Sequence, residues 1–344
     1  MAEIVMGDDG VAFDGRTGAA SPLGGAEAAF VSLAEAFVAR GHRVLAFTRC
    51  AAEVVHNGVD WIPVTQPMPG AADLYIANRG DKLIGRVPQA RTRVFWIHNP
   101  GGYLKKPRYI RALWTWRPIV VAIGEYAGRT VPWWMPRRGS VVVIPYGLAD
   151  EFRRATPRPA PPPVAIFTSN PLRGLDWLLE LWTELIQPMV PKAELRIYSG
   201  AAVYGAAGAK HAEAMARVLD RAAALGAAGV RCMAPLPRAA LIDALKAARV
   251  MLYRGDVNET YCAAVAEAQA LGVPAVVTPL GSLPERVVDG VTGVIAAGNS
   301  AFAGAAVRLL TDDVLWQRMH QAALKRQRGL SWDEVAVRFE SLMT

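Results

Sequence analysis

Val250-Met251-Leu252-Tyr253 runs into Glu259-Thr260-Tyr261-Cys262-Ala263-Ala264-Val265-Ala266-Glu267, with Gly272 and Pro274 shortly after. The first four residues read as an apolar strand. The spacing predicts a helix over 260–271, stopped by Gly272 and Pro274. Ala263, Ala264, Ala266, Ala268 and Ala270 make that helix small and apolar almost all round, which marks it as buried. Glu259 then lies in the loop before the helix. Glu267 lies about two turns on, and eight residues at roughly 100° each bring both acids to nearly the same side. Acidic side chains are seldom buried without a partner or a task. One carboxylate at the mouth of a strand–loop–helix unit and one behind it can hold two hydroxyl-bearing groups of a single ligand. The N–H groups of Thr260, Tyr261 and Cys262 add a helix start suited to an anion.

The same strand–helix alternation extends in both directions. Strands are expected near Ile4–Met6, Val44–Phe47, Leu74–Ala77, Val94–Ile97, Ile119–Ile123 and Val141–Ile144, with a helix from Gly25 to Arg40 ended by Gly41. Beyond them come strands near Val164–Phe167, Leu195–Tyr198, Val230–Met233, Val250–Tyr253 and Ala275–Thr278. Helices near 174–186, 210–224, 239–248 and 260–271 are interleaved. This alternation implies parallel sheets covered on both faces. Pro157-Arg158-Pro159-Ala160-Pro161-Pro162-Pro163 breaks the pattern and reads as an extended linker. The expected organisation is an α/β chain with two Rossmann-like, doubly wound parallel-sheet domains facing a cleft. They cover residues 1–156 and 164–328, with 157–163 as linker and 329–344 as a terminal helix crossing back to the first domain. In that helix Ser331 and Glu334 form a capping pair.

Composition narrows the class. The chain has 344 residues, 52% hydrophobic and 20% charged, as in a globular protein of two domains. Met1–Gly10 lacks the pattern of a signal peptide, and no apolar run reaches the ~18–20 residues of a membrane span. Cys50, Cys232 and Cys262 are scattered and odd in number, which points to a reducing compartment and to no metal cluster. The expected location is the cytoplasm or the cytoplasmic face of the inner membrane. The formal charge of +8 is uneven: residues 1–155 carry a net +6 and the remainder +2. The first half therefore suits an anionic partner.

Further motifs add a resemblance. Gly24-Gly25-Ala26-Glu27 follows Pro22-Leu23 at the start of the first long helix, and Arg40-Gly41-His42-Arg43-Val44 closes that helix. Phe95-Trp96-Ile97-His98-Asn99-Pro100, Val143-Ile144-Pro145-Tyr146-Gly147 and Asn170-Pro171-Leu172-Arg173-Gly174 come next. The Glu259–Glu267 stretch with Ala268–Pro274, then Gly281-Ser282-Leu283-Pro284-Glu285 and Asp289-Gly290-Val291-Thr292-Gly293, complete the set. Over residues 18–295 the chain resembles the retaining family 4 glycosyltransferases, also called glycosyl transferases group 1, which have the glycosyltransferase B fold. The glutamate pair with its flanks is specific; the double glycine is not.

That resemblance implies a retaining, metal-independent hexosyltransferase. It would move a sugar from a nucleoside-diphosphate sugar to a glycan or glycolipid acceptor, in cell-envelope polysaccharide or lipopolysaccharide synthesis. No cofactor is expected beyond the sugar nucleotide itself. Glu259 would bind donor-sugar hydroxyls and Glu267 the ribose hydroxyls. Arg173 and the backbone at Thr260, Tyr261 and Cys262 would hold the diphosphate. Gly24 and Gly25 would face it from the other domain, and His98 would contact the sugar near the reacting carbon. His98 and Glu259 are the expected catalytic pair. The chain departs from the family in two respects. No base stands at Ala165-Ile166-Phe167-Thr168-Ser169, where the family has a second one, and Cys262 replaces a small Gly.

For the acceptor, Gly101–Arg117 holds five basic residues and no acidic ones, interleaved with Tyr103, Tyr109, Trp114 and Trp116. Lys105, Lys106, Arg108, Arg111, Trp114 and Trp116 are the expected acceptor or membrane residues, suited to an anionic lipid surface. Trp133-Trp134-Met135-Pro136-Arg137-Arg138 repeats the composition. A sugar-nucleotide epimerase of the same fold and a non-catalytic two-lobed binding protein are the alternatives. A nucleic-acid partner is not expected, since no reading module is present.

Overall fold

The computed structural model describes residues 1–20, 23–200 and 211–343. Pro22, before the double glycine, and Lys210, at the start of an expected helix, lie outside them. The chain forms two compact units, 1–147 with 330–344, and 148–329.

The first unit is built on an eight-stranded sheet. Its strands are β1 (Glu3–Asp8), β2 (Arg43–Thr48), β3 (Val54–His56), β4 (Val59–Pro63), β5 (Ala71–Asn78), β6 (Gln89–Ile97), β7 (Ile119–Ala122) and β8 (Val142–Val143). The order is β3-β4-β2-β1-β5-β6-β7-β8. Every pair is parallel except β3 with β4. That exception is a hairpin turning on Asn57 (φ 49°) and Gly58 (φ 75°), both left-handed as a two-residue primed turn requires. The Gly25–Ala39 helix buries Ala29, Phe30, Leu33, Ala34 and Phe37, a stripe at helical spacing. The Trp332–Glu340 helix packs on it, with Phe37 and Phe339 edge to face at 6.4 Å. Arg40 pairs there with Asp333 and Glu340. Ser331 and Glu334 cap that last helix reciprocally.

The second unit has a six-stranded, fully parallel sheet: β9 (Val164–Phe167), β10 (Glu194–Tyr198), β11 (Val230–Met233), β12 (Val250–Tyr253), β13 (Ala275–Val277) and β14 (Gly293–Ile295). The order β11-β10-β9-β12-β13-β14 is the 3-2-1-4-5-6 of a doubly wound sheet. The crossover reverses between β9 and β12. In the first unit it reverses between β1 and β5. Ligands of such sheets bind beyond the carboxyl ends of the strands at these reversals.

Two expectations need correction. The unit boundary falls at 147/148 rather than 156/157, and the extended proline run lies inside the second unit. Its backbone and its Arg158 side chain bond to the rest of the second unit instead, and Pro163 O accepts from the amide of Glu194 in β10 at 3.1 Å. Arg158 donates its amide to His320 (3.1 Å) and its guanidinium to Leu271 O (2.8 Å), while Arg249 reaches Pro161 O (3.2 Å). The helix expected over 260–271 spans only Ala263–Ala270. Cys262 stands before it at φ 60°, ψ 72°, a left-handed conformation no right-handed helix can include.

Candidate functional site

At the crossover reversal of the second unit, the loop after β9 meets the loop after β12. Arg173 Nη1 donates to Glu259 Oε2 at 2.6 Å, and the Tyr253 hydroxyl donates to the same oxygen at 2.7 Å. Ser169 Oγ lies 3.1 Å from that hydroxyl. Glu259 is buried while Arg173 is partly open to solvent. Behind Glu259 the backbone is tight. A Cβ on Gly281 would come within 2.5 Å of Glu259 O, and Gly281 sits at φ +55°, so only glycine fits. Among the described residues Glu259 Oε1 has no hydrogen-bond partner.

Glu267 is half-buried in the helix that follows, and its carboxylate makes no hydrogen bond to the described residues. Burial pushes it up to about 7, opposed by the charge of Arg238. Its folded value lies above its unfolded one. The stability it contributes is therefore present below about pH 4.5 and is lost as pH rises through about 7. A carboxylate kept this way at a cost is one that hydroxyl donors would relieve. Because Thr260–Cys262 are not helical, the whole-turn argument for the two acids does not apply; the folded loop sets their placement. Thr260, Tyr261 and Cys262 are all buried, and Arg286 lies over the Tyr261 ring at 4.5 Å.

In the first unit the reversal carries a different arrangement. Asp8 ends β1 and Asn78 ends β5, while His98 follows β6. Arg79 Nη2 bridges Asp8 (2.6 Å) and Glu27 (2.9 Å) from a left-handed backbone (φ 61°). Asn78 Nδ2 donates to Asp8 Oδ2 at 2.5 Å, which turns Asn78 Oδ1 toward His98 Nε2. Nε2 must then carry the proton, so Nδ1 accepts from the Tyr146 hydroxyl. Burial, with the Arg79 charge adding to it, holds His98 well below the usual histidine range, so the ring is neutral at pH 7. Both ring nitrogens are thus engaged inside the protein. Gly24 caps the Gly25–Ala39 helix, and a Cβ there would strike Glu27, whereas a Cβ on Gly25 would meet nothing within 4 Å.

The basic stretch lies elsewhere on the first unit. Lys105, Lys106, Arg108 and Arg111 are exposed, with Tyr109 and Leu113 turned into the core. Arg108 is 3.5 Å from Asp81. Trp114 is 64% exposed, whereas Trp116 is part-buried. Its indole packs against Gly85 and beneath Arg93, 4.6 Å from the guanidinium carbon. Trp133 is 86% exposed, and Trp134 is exposed beside it. The amide of Arg138 bonds Pro118 O at 3.0 Å, which brings that loop to the end of the Pro107–Trp116 helix. Among the described residues no helix is long and apolar enough to cross a membrane, and no three His, Cys, Asp or Glu residues group as a metal site would need.

Sequence reasoning missed Asp8, Asn78, Arg79, Tyr146, Ser169 and Tyr253. The available signal was a polar residue closing an apolar strand, as in Leu74-Tyr75-Ile76-Ala77-Asn78.

Comparison with known proteins covers both units. Residues 162–312 match the family model described as glycosyl transferases group 1. A D-inositol 3-phosphate glycosyltransferase of Kribbella flavida is 33% identical over 173 residues, 48% of this chain and 39% of that protein. One of Streptomyces avermitilis is 30% identical over 233 residues, 63% of this chain and 49% of that protein. The matched part thus spans less than half the length of these relatives. Among solved structures, the sucrose-phosphate synthase of Thermosynechococcus elongatus superposes with a TM-score of 0.77 at 16% identity, covering 99% of this chain and 98% of that one. HepE of Anabaena, solved with UDP-glucose, gives 0.73 at 14% identity, covering 99% of each chain. The stretch 162–312 is thus similar to the glycosyl transferases group 1 family, and the chain as a whole has the glycosyltransferase B fold of two Rossmann-like domains.

Proposed function

We propose that this protein is a retaining glycosyltransferase that transfers a sugar from a nucleoside-diphosphate sugar to a hydroxyl acceptor. The observation that carries the reading is the pair of carboxylates at the reversal of the second sheet with oxygens that no described residue bonds. Glu259 offers Oε1 to the donor sugar while its other oxygen holds Arg173. Glu267, desolvated and without a hydrogen bond, offers its carboxylate to the ribose diol. Arg173 and the backbone at Thr260–Cys262 meet the diphosphate. The acceptor oxygen bonds to the anomeric carbon on the face from which the diphosphate leaves, and the acceptor proton passes to a departing phosphate oxygen. Charge on that leaving group is what Arg173 stabilises. No cofactor or metal takes part. His98 serves as a fixed wall of the first unit rather than as a proton carrier.

The acceptor side belongs to the first unit, at Lys105, Lys106, Arg108 and Arg111 with Trp114. Those cations suit an anionic acceptor, either a glycolipid at a membrane surface or a soluble sugar phosphate. The D-inositol 3-phosphate named in the relatives belongs to the second kind. The test is turnover of radiolabelled UDP- and GDP-sugars, with inositol phosphate or anionic vesicles as the acceptor source. Labelled product with release of nucleoside diphosphate is expected. Release of a free epimer without transfer contradicts the reading.

A further inference from the structure

The last residue of β12 has a place in this site that the motifs do not assign. Tyr253 is 1% exposed, with its ring against Phe167 at 5.8 Å between centroids. Its single proton goes to Glu259 Oε2, since a carboxylate only accepts. Its oxygen must then accept from Ser169 Oγ. Ser169 is held in turn, its carbonyl accepting from Ser199 Oγ at 2.6 Å. The side-chain bonds from Ser169 Oγ through the Tyr253 hydroxyl to Glu259 Oε2 therefore run in one proton direction, ending on the oxygen that also holds Arg173, while Ser199 anchors the Ser169 backbone. We propose that Tyr253 is a positioning residue for the donor. By occupying Oε2 together with Arg173, it fixes the carboxylate plane and leaves Oε1 as the one oxygen of Glu259 offered to the sugar.

This inference rests on the reading of Glu259 as the sugar contact. Its consequence is specific to the sugar. Without the phenol hydroxyl, Glu259 Oε2 is held by Arg173 alone, the carboxylate plane is less fixed and the sugar contact loosens. The nucleoside diphosphate alone, held by Glu267, Arg173 and backbone, does not report that change.

The experiment is calorimetric titration of wild type, Tyr253→Phe and Ser169→Ala with UDP-glucose and with UDP. The GDP-mannose and GDP pair is used in the same way, and slow hydrolysis of each sugar nucleotide is followed alongside. Tyr253→Phe is expected to weaken sugar-nucleotide binding or its hydrolysis by about tenfold, with affinity for the bare diphosphate within about threefold. Ser169→Ala, which leaves Tyr253 in place, is expected to shift the same ratio by about two- to threefold in the same direction. An unchanged ratio in Tyr253→Phe overturns the inference, as does an equal loss for both ligands together with lowered thermal stability. A wild-type protein that binds neither nucleotide pair removes the function on which it rests.

Discussion

The two sheets place polar side chains at equivalent points of the same topology, yet leave them in opposite states. At the reversal of the first sheet the network of Asp8, Asn78, Arg79, Glu27, His98 and Tyr146 closes on itself. Arg79 spans two carboxylates, and each His98 nitrogen has a partner. At the reversal of the second sheet, Glu259 keeps one oxygen without a partner among the described residues, and Glu267 has no hydrogen bond to them at all. A closed polar network rigidifies. A desolvated carboxylate without donors is costly and becomes favourable only when a ligand supplies them. The contrast marks the second-sheet cluster as the candidate binding site of the two on physical grounds, although both lie where ligands of such sheets are found.

The strongest way to break that contrast is to remove the central cation from each network. Arg79→Met strands two carboxylates, one of them fully buried, and is expected to cost about 3–5 kcal/mol in urea unfolding. Arg173→Met removes a guanidinium that is 41% exposed, and about 1 kcal/mol is expected after solvent screening. Nucleotide affinity should follow the reverse order, with a large loss for Arg173→Met and little for folded Arg79→Met. Equal stability losses in the two variants would erase the distinction.

A smaller effect tests the loop between the two acids. Cys262 holds a left-handed backbone that a side chain disfavours by about 1–2 kcal/mol. Cys262→Gly is expected to raise stability by up to about 1 kcal/mol, since glycine also loses more entropy on folding. A decrease in the denaturant midpoint would show that the thiol's packing outweighs the strain.

These energetics also explain what the sequence disclosed. β2, β6, β9, β10 and β12 were legible because apolar runs in a doubly wound sheet are buried on both faces. The Asn57-Gly58 turn announces the β3–β4 hairpin as plainly, though it is absent from the expected strands. Glu259, Glu267 and Arg173 were legible from local motifs. The first-unit network was not. Its members at 8, 27, 78, 79, 98 and 146 come from strand ends, a helix start and a loop that meet only in the folded unit, which no local pattern encodes. The helix start was misplaced because an alanine-rich run does not reveal that Cys262 turns left-handed. The unit boundary was misplaced because a proline run looks like a linker until Pro161 O is seen accepting from the buried Arg249 and Arg158 is seen bonding His320 and Leu271.

The central claim is that Glu267 is a carboxylate waiting for ligand hydroxyls, and its ionisation is the direct handle. A sugar nucleotide is the suitable probe, because its diphosphate diester does not titrate between pH 5 and 8. If Glu267 ionises near 7 in the free protein and binds the ribose as carboxylate, affinity is fully present above pH 7. It then weakens by up to about tenfold per pH unit below it. Glu267→Gln should bind more weakly at pH 8 and show no such slope. The measurement is the dissociation constant of UDP-glucose, or of GDP-mannose if that binds, at pH 5, 6, 7 and 8 for both proteins. A pH slope in the wild type that vanishes in Glu267→Gln is the predicted result. Superimposable profiles for the two proteins would contradict the account.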